Sequence, residues 1–116
     1  MSAPEHLLRV NDQNLKDVVE ADLGVLILAK SDCGYCASYE QDILQLIGRG
    51  KLQGVTIGKL VLDAPGSGRF KRDNPWLAGL KTLPYTLLYR KGERVDEFSA
   101  SKGLYLLEKI EDLLAA

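Results

Sequence analysis

This chain of 116 residues has only two cysteines and one histidine, and that shortage excludes much. The cysteines stand three positions apart, in Cys33-Gly34-Tyr35-Cys36. A bond across so short a loop would add little to stability. A structural zinc site needs four Cys or His ligands, more than this pair and His6 supply. Neither sign of charge dominates: Lys+Arg 15 against Asp+Glu 16 gives a net −1, which argues against nucleic acid or an anionic membrane as a general partner. The longest apolar run, Val25 to Ala29, is far shorter than the roughly 20 residues a membrane-spanning helix requires. The opening residues Met1 to His6 carry neither the basic start nor the apolar stretch of a secretory leader, so a cytoplasmic location is expected. No repeat, linker or low-complexity segment divides the chain. It reads as one domain over 1–116, with 1–6 a loose tail.

With 46% hydrophobic residues, the chain can bury a sizeable core without staples, and the apolar spacing predicts its parts. Leu7 to Val10 is a short edge strand. Asn11 or Asp12 caps a helix carrying Leu15, Val18 and Val19. Val25 to Ala29 is uninterrupted and short, the pattern of a strand covered on both faces. A helix follows in which Cys36, Tyr39, Ile43, Leu46 and Ile47 form one stripe, with Glu40, Gln41, Asp42 and Gln45 on the other side. Gly48 and Gly50 end it. Val55 to Leu62 is a strand, 64–68 a loop, and Asn74-Pro75 opens a short helix bearing Trp76, Leu77 and Leu80. Tyr85 to Tyr89 and Arg94 to Phe98 form a hairpin turned at Lys91-Gly92. Ser101 caps a last helix with Leu104, Leu107, Ile110 and Leu114 facing inward. Alternation followed by a hairpin predicts an α/β domain: a central mixed β-sheet with helices on both faces.

The cysteines fall between the apolar strand and the amphipathic helix. At a helix start, backbone N–H groups lack partners and the dipole is positive, which favours a thiolate. An unperturbed cysteine is only about 3% ionised at neutral pH, and one whose pKa drops to about 7 is half ionised. Cys36 lies one helical turn beyond Cys33, within reach of a disulfide. The outer sulfur can attack a substrate disulfide, and the inner one can resolve the mixed disulfide.

From Leu7 onward the chain resembles the thioredoxin family. The likeness rests on the element order, on Cys33-Gly34-Tyr35-Cys36, on Leu83-Pro84 leading into Tyr85 to Tyr89 and the Lys91-Gly92 turn, and on Ser101-Lys102-Gly103. The resemblance implies the thioredoxin fold, Cys33 as nucleophile, Cys36 as resolving thiol and Pro84 as a cis proline beside them. Leu83 would then pair with an extended substrate chain. The alternative for Pro84, set aside once the cysteines are counted, is a proline that simply opens a strand.

Three departures stand out. Asp32 and Tyr35 occupy positions where thioredoxins carry Trp and Pro. Gly34-Tyr35 instead resembles periplasmic disulfide isomerases, and Tyr35 also resembles glutaredoxins. Asp32 opposes ionisation of Cys33, while the Tyr35 hydroxyl can be offered to a thiolate. The buried acid of thioredoxins is replaced by Ile27, yet its lysine partner remains as Lys59. That lysine either lies beneath Cys36 and assists its deprotonation, or snorkels over apolar surface. The connection from Asp63 to Pro84 is longer, with Arg69, Lys71 and Arg72 near Trp76, a surface for a partner or simply a solvated one.

The function expected is that of a thiol–disulfide oxidoreductase reducing protein disulfides. Its electrons would come from a disulfide reductase or a small thiol, and no bound cofactor or metal is needed for the cycle. The alternatives are a disulfide oxidant or isomerase, and a thioredoxin-fold adaptor or iron–sulfur-bridging module.

Overall fold

A computed structural model describes residues 7–115; the expected tail at 1–6, with His6, lies outside them. The order is β1 (Leu8–Arg9), α1 (Leu15–Val19), β2 (Gly24–Ala29), α2 (Gly34–Gly48), β3 (Thr56–Val61), α3 (Gly68–Asp73), a 3-10 helix (Pro75–Gly79), β4 (Tyr85–Arg90), β5 (Glu93–Ser99) and α4 (Gly103–Ala115). The five strands form one sheet ordered β1-β3-β2-β4-β5. β1, β3 and β2 run parallel, and β4 and β5 pair antiparallel beside β2. The expected mixed sheet and hairpin are therefore present. Lys91 and Gly92 both take positive φ, 51° and 93°, which is what a two-residue turn between twisted strands demands.

Strand β2 is buried along its whole length because helices cover both faces. Val25 and Ile27 point to one side, where they meet Tyr39, Ile43, Leu46 and Ile47 of α2 and Leu106 and Ile110 of α4. Leu26 and Leu28 point to the other, against Val18 of α1 and Phe70 of α3, with Trp76 and Leu77 packed beside them. The stripe expected on α2 is the stripe buried.

Three local expectations are corrected. Residues 68–73, which begin at the last residue of the expected loop and for which no element was expected beyond it, form α3. Asp12 does not cap α1; its carboxylate accepts the N–H groups of Arg69 and Phe70, both at 2.9 Å, and so caps α3 from across the fold. Those contacts, with Arg69 and Arg72 nearby, hold the Asp12 carboxyl below its ordinary 3.8. Asn11 instead closes the preceding turn, accepting from the N–H groups of Gln13 and Asn14. Finally, α4 turns Leu106 and Ile110 inward and leaves Leu104 and Leu114 exposed. The reason is its docking on α2. A Cβ at Gly103 would come within 2.7 Å of the Asp42 Cβ, so the two helices touch there, and the Gly103 N–H donates to Asp42 Oδ2 at 2.9 Å. Asp42, not Ser101, supplies the bond at the start of this helix.

Candidate active site

At the end of β2 the chain leaves the sheet at Lys30 and re-enters regular structure at Gly34. The crossing is anchored by Asp63, just beyond β3. Its Oδ1 accepts the Ser31 N–H at 3.0 Å and its Oδ2 the Ser31 hydroxyl at 2.6 Å. These bonds, helped by Lys30, keep the Asp63 carboxyl below its ordinary 3.8. Nothing in the motif itself pointed to Asp63; the tie exists because β2 and β3 are parallel neighbours and end side by side.

Cys33 is the N-cap of α2, extended at φ −112° and ψ 110°, and its sulfur accepts the Cys36 N–H at 3.1 Å. The sulfur thus takes one of the donors that a helix start leaves unpaired. Cys33 and Cys36 are joined by a disulfide, with their Cα atoms 5.2 Å apart. Cys33 is half-buried, whereas Cys36 is 6% exposed and belongs to the core. Across from them, the Leu83–Pro84 peptide is cis, and the Leu83 carbonyl oxygen lies 3.8 Å from Cys33 Sγ. Residues fifty positions apart therefore meet at one sulfur.

A groove of about 230 Å³ opens beside this junction, lined by Tyr35, Thr82, Leu83, Pro84 and Ser99 to Ser101. Tyr35 is 70% exposed, and Asp32 and Gly34 are also exposed. Space around Gly34 is open: a Cβ there would meet nothing within 4 Å. Lys59 emerges from β3 toward α2 and is bonded to Glu40, a residue expected on the solvated side of that helix. Glu40 went unread because its partner lies on a different element. Beneath α2, Tyr39 shares a hydrogen bond of 2.9 Å with Thr86, and burial pushes its phenol up to about 12.

The long connection after Asp63 is tied down within the chain. Lys71 donates to the Leu62 carbonyl at 2.8 Å, while Trp76 donates to Asn74 Oδ1 at 3.1 Å and lies 6.2 Å from the Tyr85 ring. Among the described residues no three His, Cys, Asp or Glu side chains converge as metal ligands, and no helix is long and apolar enough to cross a membrane.

No family model and no curated protein matches the sequence. Solved structures do. Thioredoxin from Trypanosoma brucei brucei is 16% identical with a TM-score of 0.76, covering 97% of this chain and 94% of its own. A mutant thioredoxin from Halobacterium salinarum is 21% identical with a TM-score of 0.74, over 97% and 94% of the two chains. A chain from the complex of ferredoxin:thioredoxin reductase with thioredoxin f2 is 18% identical with a TM-score of 0.76, over 96% and 97%. The fold is the thioredoxin fold, and a disulfide-bonded Cys-x-x-Cys pair stands at the start of its second helix.

Proposed function

We propose that this chain is a thiol–disulfide oxidoreductase that reduces disulfides of protein substrates, with Cys33 as nucleophile and Cys36 as resolving thiol. The observation that carries the reading is the asymmetry of the pair: one sulfur reachable at a helix N-cap, its partner buried one turn below. In the reduced chain the Cys36 N–H and the helix dipole favour a thiolate on Cys33. That thiolate attacks one sulfur of the substrate disulfide and expels the other as a thiolate. Cys36 then attacks Cys33 Sγ, which re-forms the disulfide and releases the second substrate thiol, so two electrons have passed to the substrate.

The groove beside Cys33 suits an extended segment. Leu83, whose carbonyl lies near the sulfur, would pair with substrate backbone, and Pro84 would offer an apolar surface with no N–H. Gly34 leaves the approach to Cys33 open. Exposed Tyr35 supplies an aromatic contact, and exposed Asp32 is a charge that tempers ionisation of Cys33. Electrons would come from a disulfide reductase or a small thiol, in line with the reductase complex in which thioredoxin f2 is found. A cytoplasmic setting, where such thiols stay reduced, fits the cycle. Insulin reduction driven by dithiothreitol tests the proposal. The wild type should accelerate precipitation, and Cys33→Ser should fall to the rate of dithiothreitol alone. Equal rates for the two proteins would overturn the reading.

A further inference from the structure

Strands β2 and β3 lie parallel and end side by side, at Ala29 and Val61. Beyond that point the chain parts. From β2 it turns to α2 on one face of the sheet, and from β3 it runs on to α3 on the other. Such a parting opens a crevice at the carboxyl ends of parallel strands, the usual place for a ligand in an open α/β sheet. Here it is a groove of about 570 Å³ between the strand ends and the helices of the long connection. Leu62, Pro75, Leu77 and Ala78 give it an apolar lining, and the exposed Lys30 and Lys71 bring two positive charges to it. Lys71 gives one of its three N–H donors to the Leu62 carbonyl, which is neutral and leaves the ammonium charge uncompensated. Among the described residues neither lysine makes an ion pair. Asp63 is the acid in the lining, and its two oxygens are taken by Ser31.

We infer that this groove receives a stretch of the substrate polypeptide carrying carboxylate and bulky apolar side chains, a few residues from the cysteine that Cys33 attacks. The inference rests on the reading of Cys33 as the nucleophile, although the binding itself involves no redox step. An apolar lining with a small number of placed charges is the usual make-up of a recognition groove, and here those charges favour an acidic occupant. A basic segment would meet two like charges instead. The groove is also continuous with the redox pair. Lys30 stands three residues before Cys33, so their Cα atoms are at most about 11 Å apart. An extended chain covers that span in about three to four residues. Across the end of the sheet, this groove lies by β3 and β2 and the Pro84 groove lies by β4 and β5. The segment leading to Cys33 runs out between them, so a substrate chain can occupy both flanks of the sulfur. No charged side chain lines the Pro84 groove, and selection by charge therefore falls to Lys30 and Lys71. Exposed ion pairs are individually weak, so apolar burial supplies most of the affinity and the lysines supply the preference.

Calorimetry on the oxidised protein, with an acetylated peptide that alternates leucine and glutamate and lacks cysteine, measures the binding alone. Trp76, the chain's single tryptophan, stands between the lining residues Pro75 and Leu77, so its emission should shift as the peptide saturates the groove. A leucine–glutamine peptide should bind roughly 5-fold more weakly, and added salt should weaken only the acidic one. Lys30→Gln should lower affinity for the acidic peptide about 3-fold and leave the neutral peptide unchanged. Ala78→Phe fills the groove from an exposed position and should abolish binding of both. Should Ala78→Phe fail to fold, Lys30→Gln, also at an exposed position, carries the test. With the reduced protein, a disulfide peptide bearing the leucine–glutamate stretch about three residues from its cysteine should show a lower KM than its glutamine counterpart. Lys30→Gln should erase that difference. Absence of binding, equal affinity for the two peptides, or binding unmoved by either substitution overturns the inference. A wild type that reduces neither disulfide peptide overturns the oxidoreductase reading, while calorimetry on the oxidised protein still decides the groove.

Discussion

Tyr39 and Thr86 show how a single polar pair is kept inside an apolar layer. The two hydroxyls satisfy each other beneath α2, and among the described residues no buried side-chain polar atom is left without a partner. Tyr39→Phe would remove one hydroxyl and leave the other buried without this bond, a loss of about 1–3 kcal/mol. The check is a urea titration, in which the midpoint should fall and the slope stay unchanged. Asp63 acts differently, at the surface, by tying Ser31 and hence the approach to Cys33 to the end of β3. Asp63→Ala should leave α2 intact and slow alkylation of reduced Cys33, because the segment from Lys30 to Asp32 loses its anchor. An unchanged alkylation rate would show that the anchor does not position the sulfur.

Among the elements, α3 and α4 depend most on distant residues. α3 has six residues, too few to hold itself together in water, and its N-cap Ser67 makes no side-chain capping bond. Its first N–H groups are met by Asp12. Hydrogen exchange of the Arg69 and Phe70 amides should therefore lose protection in Asp12→Ala, while amides of β2 remain protected. α4 is set against α2 at Gly103, where the near contact with Asp42 leaves no room for a methyl group. Gly103→Ala should cost about 1–3 kcal/mol by overpacking, although alanine favours a helix interior over glycine. A gain in stability, read from thermal unfolding, would mean that α4 packs less tightly than its position indicates.

For the whole molecule, acid is the stress that strikes both surface ties together. Asp12 and Asp63 each have a carboxyl held below its ordinary 3.8 by N–H or hydroxyl donors in the folded state. A depressed folded pKa contributes stability that is fully present above the unfolded value and is lost as pH falls through the folded one. Stability should accordingly be flat near neutrality and decline below about pH 4. The double variant Asp12→Asn, Asp63→Asn should be less stable at neutral pH and show a shallower acid decline. Urea midpoints taken across that range test the sign. The same two ties join the first turn, the end of β3 and the long connection, so the acid-labile contacts cluster at the rim of the sheet that bears Cys33.

Much of the architecture and the site was already written along the chain, wherever the cause is local. Uninterrupted apolar residues from Val25 to Ala29, short and preceded by Gly24, fit a strand covered twice, the stripe from Cys36 to Ile47 has one buried side, and Lys91-Gly92 favours a tight turn. Cys33 stands where such a strand meets such a helix, so the position of the cysteine pair could be read from four residues and their neighbours. α4 has more apolar residues than one face can hold, so periodicity chose Leu104 and Leu114 beside Ile110, and the contact of Gly103 with α2 turned Leu106 inward with Ile110 instead. Asp12 looked like a cap for its own helix and serves one 57 and 58 residues away. Glu40 looked solvated and is matched to Lys59 across the gap between helix and sheet. Periodicity and turn chemistry act over a few residues and belong to the sequence. Caps supplied in trans and ion pairs between layers exist only once the sheet brings distant segments within a few ångströms, and that was decided by the tertiary structure.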